Sequence, residues 1–133
     1  MQKAKLTVTT KIDNEAENSA VYDAEMELNV VSAVLWYREN QSNVQLTLKD
    51  NELFIERTGD YNFKLRLRES QILPASLGFG DSCGEIFLQT HDLKFSITNS
   101  SLLLSTEYDL CFSGEEKQKM KLRIYAKSVT EEK

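Results

Sequence analysis

Proline and histidine occur once each in 133 residues, and glycine only five times. So little glycine and proline excludes a collagen-like or low-complexity chain. One histidine and two cysteines, Cys83 and Cys111, in no paired spacing, offer no zinc cluster, and no cofactor is implied. Long hydrophobic runs are missing as well. The longest, residues 30–37, is broken by Ser32 and falls far short of the roughly 20 residues that span a bilayer. The opening MQKAKLTVTTK alternates polar and apolar, so no signal peptide and no membrane association are expected. A reducing, cytoplasmic setting with two free thiols follows as the expectation. A basic surplus is also lacking. The net charge is −5, which argues against a dedicated nucleic-acid binder. Residues 1–60 hold 6 Lys/Arg against 11 Asp/Glu and so carry the whole excess, while residues 61–133 hold 10 of each.

What is present is alternation. Successive side chains of a β-strand point to opposite faces, so a period of two marks a strand with one oily face. Residues 3–12 keep Leu6, Val8, Thr10 and Ile12 in phase, and an Asp/Asn/Glu-rich loop follows at 13–18. Tyr22, Ala24, Met26, Leu28 and Val30 continue the pattern, then Ala33, Leu35 and Tyr37, then Val44, Leu46 and Leu48. Asp50-Asn51 turns into residues 53–57, and Thr58-Gly59-Asp60 turns into YNFKLRLR at 61–68. There Lys64, Arg66 and Arg68 share one face, read as outer wall rather than as a phosphate grip. Residues 70–84 read as irregular, with Pro74 and three of the five glycines. Ile86, Leu88 and Thr90 form the next strand. His91-Asp92 reads as a tight reversal into Leu93, Phe95 and Ile97. Residues 102–112 and 120–126 complete the set.

No window keeps a helical period, and the connections are too short for parallel crossovers. The expected fold is all-β: a single antiparallel up-and-down barrel of about ten strands, lipocalin/calycin-like, within residues 3–128 of one domain spanning 1–133. Residues 129–133 read as a frayed tail. Tyr22, Tyr37, Tyr61, Phe63, Phe95, Tyr108 and Phe112 share the inward phase and either fill the lumen or line a pocket.

Particular stretches are similar to the YwiB family of uncharacterised bacterial proteins. They are Leu35-Trp36-Tyr37-Arg38-Glu39, Ile55-Glu56-Arg57-Thr58-Gly59, residues 83–90 (CGEIFLQT) and Tyr108-Asp109-Leu110. The order and spacing of these motifs carry the resemblance across about three quarters of the chain. It implies a lipocalin-like barrel and no established activity. Two positions depart from the family pattern. Cys83 stands where an aromatic is usual, and Phe79, near the implied barrel mouth, where a tyrosine is usual.

Catalytic chemistry finds little support. His91 reads as a solvated turn residue, Cys83 as an inert thiol in a Gly-flanked loop, and Cys111 as structural. Gly78-Phe79-Gly80 is not followed by a helix, so it is no phosphate loop. The chain is therefore not expected to be an enzyme. The exception to a purely structural reading is a pair of charges on the inward phase. Parity turns Glu39 and Arg57 into the barrel, at the ends of strands that run the same way in a meander. They read either as a structural ion pair at the rim or as the polar anchor of a ligand site. The candidate ligand-binding set is Glu39, Arg57, Tyr37, Tyr61, Phe63, Phe79 and Tyr108, for a small apolar or amphipathic ligand. The alternative is an accessory factor with a filled barrel that meets a protein or RNA partner through its outer surface.

Overall fold

In the computed structural model, ten antiparallel strands follow one another around a closed ring, each hydrogen-bonded to its neighbours in sequence, with the last strand returning to the first. The described residues are 2–39, 41–59, 62–79, 82–112 and 117–129, with side chains of 74–79, 82–86 and 112 outside the description. The strands are β1 (Gln2–Ile12), β2 (Asn18–Leu28), β3 (Ala33–Glu39), β4 (Ser42–Lys49), β5 (Glu52–Thr58), β6 (Asn62–Arg68), β7 (Ile72–Phe79), β8 (Ser82–Ile97), β9 (Ser101–Phe112) and β10 (Lys117–Ser128). Closure leaves no free edge between β10 and β1, which pair from Ala4–Ser128 to Ile12–Met120.

The meander follows from local turn chemistry. Asp50 and Asn51 both take positive φ, 55° and 61°, between the paired Lys49 and Glu52, which is the primed turn that matches strand twist. Gly59 has φ 140°, and a Cβ there would meet Gln41 O and Ser42 Cα at 2.8 Å, so the β5 end passes the start of β4 too closely for a side chain.

The ten strands are not cut where alternation alone cuts them. Residues 72–79 and 82–84, expected to be irregular, are strand. They contain β7 and the start of β8, so Cys83 lies in a strand rather than a loop. The β6–β7 ladder covers only Asn62–Lys64 against Ser76–Gly78, and Pro74, which has no N–H to give, lies beyond it. His91-Asp92 is not a reversal either. β8 runs straight through, and its register against β9 shifts between Thr90 and Asp92. This β-bulge moves the inward phase from Leu88 and Thr90 to Leu93 and Phe95. The missed strand and the divided strand cancel in the count.

The core lies in the lumen, with half-buried inward residues at both ends, Leu28, Phe95 and Ile97 at one and a larger set at the other. One end is held by the β2–β3, β4–β5, β6–β7 and β8–β9 turns. There Ala33, Leu35, Leu46, Leu48, Leu53, Leu102, Leu104 and Ile124 enclose a residual cavity of only about 10 Å³. An apolar space of that size is dry. Toward the other end the inward side chains open. Along β1, Ala4 and Leu6 are buried but Val8 and Ile12 only half-buried. Along β9 and β10, Leu102 and Ile124 are buried, while Leu110, Met120 and Leu122 are half-buried.

Candidate functional site

The open end gathers the inward charges. β3 and β5 both point their C-terminal ends there, one on each side of β4, and the pleat turns Glu39 and Arg57 to the lumen. Arg57 Nη1 donates to Glu39 Oε2 at 2.8 Å. The Arg57 side chain is 8% exposed and that of Glu39 33%, so the guanidinium lies deeper and the carboxylate faces the mouth. Curvature of the closed sheet brings across β4 two groups whose strands are separated by about 10 Å.

Aromatic side chains flank the pair. Tyr37, two residues before Glu39, holds its ring 4.9 Å from that of Tyr22 on β2. Partial burial raises the Tyr22 phenol above its usual pKa, the Glu39 carboxylate adds to the rise, and the Arg57 guanidinium opposes it. Spacing turns Tyr22 inward but does not by itself place it beside the charged pair. The signal for it is its alternation with Ala24 and Met26. Phe63 pairs with Arg57 across β5 and β6 and packs against the core. Tyr108 lies deeper. It is opposite Thr90 and Met120, and burial pushes its phenol up to about 12. Tyr61 lies outside the described residues. Phe79 ends β7 at the same mouth, with its side chain outside the description.

The basic face of β6 is outer wall. Lys64, Arg66 and Arg68 are exposed. Arg66 bonds to the carboxylate of Glu52, which is buried on the wall, and its guanidinium lies 5.0 Å from the Phe54 ring centre. His91 is not a free turn residue. Its Nε2 and Asp109 Oδ2 are 2.8 Å apart, across the bulge on the outer face. Thr106 Oγ1 donates to the Asp92 carbonyl at 2.7 Å on the inner side of the same bulge. Cys111 is a free, half-buried thiol.

A second concavity lies outside the wall. It has a volume of about 840 Å³ and crosses the outer face of β1–β5. Its outward lining includes Lys3, Lys5, Asp23, Glu25, Trp36, Arg38, Asn43, Gln45, Glu56 and Thr58, alternating with the inward-phase residues Ala4, Ala24, Tyr37 and Val44. Lys5 Nζ donates to Asp23 at 2.5 Å and holds that carboxyl below the usual range.

The class defined by these strands is a lipocalin-like β-barrel. Residues 5–124 match the family described as "Domain of unknown function (DUF1934)", and the chain belongs to that family. It is similar to the crystal structure of the ywiB protein from Bacillus subtilis, with a TM-score of 0.76 and 13% identity over 97% of this chain and 93% of that chain. At that identity the likeness speaks for the fold alone. No curated protein matches.

Proposed function

We propose that this protein is a non-catalytic binding module that holds a small amphipathic ligand in the open end of its barrel. The observation that carries the reading is the cluster of half-buried inward side chains on β1–β3, β6, β9 and β10 around the charged pair. Apolar side chains normally point inward in order to leave water. Tyr22, Tyr37, Phe63, Leu110, Met120 and Leu122 point inward without leaving it fully, which is the condition of a cup awaiting an apolar occupant. Arg57 lies deep with its Nη1 on Glu39, and the carboxylate is the part of the pair that water reaches. The head group it suits is therefore a hydrogen-bond donor, such as a hydroxyl, amide or ammonium.

Titration with two dansyl-labelled eleven-carbon probes, an amine and a carboxylate, tests this. We expect saturable one-to-one binding of the amine, weakened about tenfold by Glu39→Gln and blocked by Leu110→Trp at the mouth. Binding of neither probe, or binding indifferent to both substitutions, overturns the reading.

A further inference from the structure

The outer groove is set apart from the barrel mouth by the pleat: its polar side chains belong to the opposite face of the same strands, and Tyr37 is the one residue of the mouth set in its lining. One cross-strand row runs through it in register: Lys3, Glu25, Trp36, Gln45 and Glu56. Four interstrand spacings make that row about 19 Å long. The half-buried indole of Trp36 stands at its centre, flanked by a carboxylate on one strand and an amide on the other. Beside it Arg38 pairs across the strands with Asn43, one pleat further on.

Three features of this surface choose its occupant. The first is charge. Lys3, Lys5 and Arg38 are matched by Asp23, Glu25 and Glu56, so the groove has no net sign. A polyanion such as RNA or a phosphorylated ligand needs a positive surplus, and this groove has none. The second is backbone. Each of β1 to β5 is paired on both sides in the closed ring, so no strand edge is open to an added peptide strand. The third is the kind of polar group present. Carboxylate, primary amide and guanidinium are planar and offer two hydrogen-bonding atoms side by side, matching adjacent hydroxyls that both donate and accept. The Gln45 amide is oriented by its 3.3 Å bond from Nε2 to Thr47 Oγ1, which leaves its carbonyl oxygen for a ligand. An indole face covers the apolar C–H face of a sugar ring while the ring hydroxyls meet the polar rim.

We infer that the β1–β5 groove is a binding site for a short neutral oligosaccharide, with one pyranose ring stacked on Trp36 and its hydroxyls held by Glu25, Gln45, Arg38 and Asn43. Trp36 is the sole tryptophan of the chain, so its fluorescence reports on this site alone. The test titrates the intact protein with maltohexaose, cellohexaose, xylohexaose and chitohexaose, following Trp36 emission and binding heat, with a set of mixed-charge hexapeptides in parallel. We expect saturable binding of at least one saccharide with a change in Trp36 emission. By calorimetry, Trp36→Ala weakens it about tenfold or more, Trp36→Phe keeps it within about threefold, and Leu103→Ser on the far wall leaves it unchanged. No saccharide binding at millimolar concentration overturns the inference. So does saccharide binding that survives Trp36→Ala, or an emission change produced by the peptides alone.

Discussion

Replacing Arg57 with methionine removes the guanidinium that neutralises Glu39 and keeps a side chain of similar reach in the lumen. Breaking a fully buried ion pair from one side costs about 3–5 kcal/mol, chiefly for the charge left behind. Here the remaining charge is the Glu39 carboxylate, whose side chain is 33% exposed, so water solvates part of it. The expected cost is accordingly about 2 kcal/mol, below the buried range. With a urea m-value of about 2 kcal/mol/M, the unfolding midpoint falls by about 1 M. Arg57 makes contacts besides the one to Glu39, so the single substitution alone overstates the pair. A double-mutant cycle with Glu39→Gln isolates it, and we expect a coupling of about 1–2 kcal/mol. The same two variants move the Tyr22 phenol in opposite directions. Its pKa rises further without Arg57 and falls without Glu39, because the guanidinium lowers it and the carboxylate raises it. A coupling of zero, or a Tyr22 titration indifferent to both changes, would refute the placement of this pair at the mouth.

Three further outcomes are expected. Tyr108 has a folded pKa of about 12 against an ordinary value of 10.0, so between those values the folded state holds one more proton than the unfolded chain. Stability therefore falls as pH rises through this window, by about 1.4 kcal/mol per pH unit from this group, and Tyr108→Phe should show a shallower alkaline loss in urea melts. Deleting His91 removes the extra residue of the bulge and makes the register against β9 continuous, so the variant should unfold cooperatively. Deleting Lys94 instead turns Phe95 and Ile97 outward and should abolish the cooperative transition in the same melts. Gly59→Ala places a Cβ at 2.8 Å from backbone atoms of the neighbouring strand, at a φ of 140°, and should cost about 2 kcal/mol in chemical denaturation; a change under about 0.5 kcal/mol would refute the close approach.

The alternation of apolar and polar residues determined most of the fold by itself. A period of two assigns every side chain of a strand to lumen or solvent once any one of them is known. Inward Leu35, Tyr37 and Glu39, inward Ile55 and Arg57, and outward Lys64, Arg66 and Arg68 all follow from that rule. It failed where the chain breaks its own period. The parity change between Thr90 and Leu93 is compatible with a turn or with a bulge, and only the ladder to β9 chooses between them. Pro74 and its neighbouring glycines resemble a loop, and β7 exists because β8 supplies its partner from Ile72–Gln89 to Phe79–Ser82. His91 and Asp109 meet because the bulge presents one to the other across two strands.

Depth and curvature were likewise the work of the closed ring. Parity says that Tyr22, Leu110 and Met120 point inward, but not that they stop half-buried while Leu35 and Leu104 are sealed. That difference depends on how ten tilted strands close around side chains of unequal size. The outer groove is the clearest case. Lys3, Glu25, Gln45 and Glu56 read singly as polar covering on four strands, and Trp36 as an isolated aromatic on the outward phase of a fifth. They become one lined concavity only when the register places them in a row and the twisted wall bends around them. Register and bend arise from contacts between segments distant in the chain, and a local period carries no information about either.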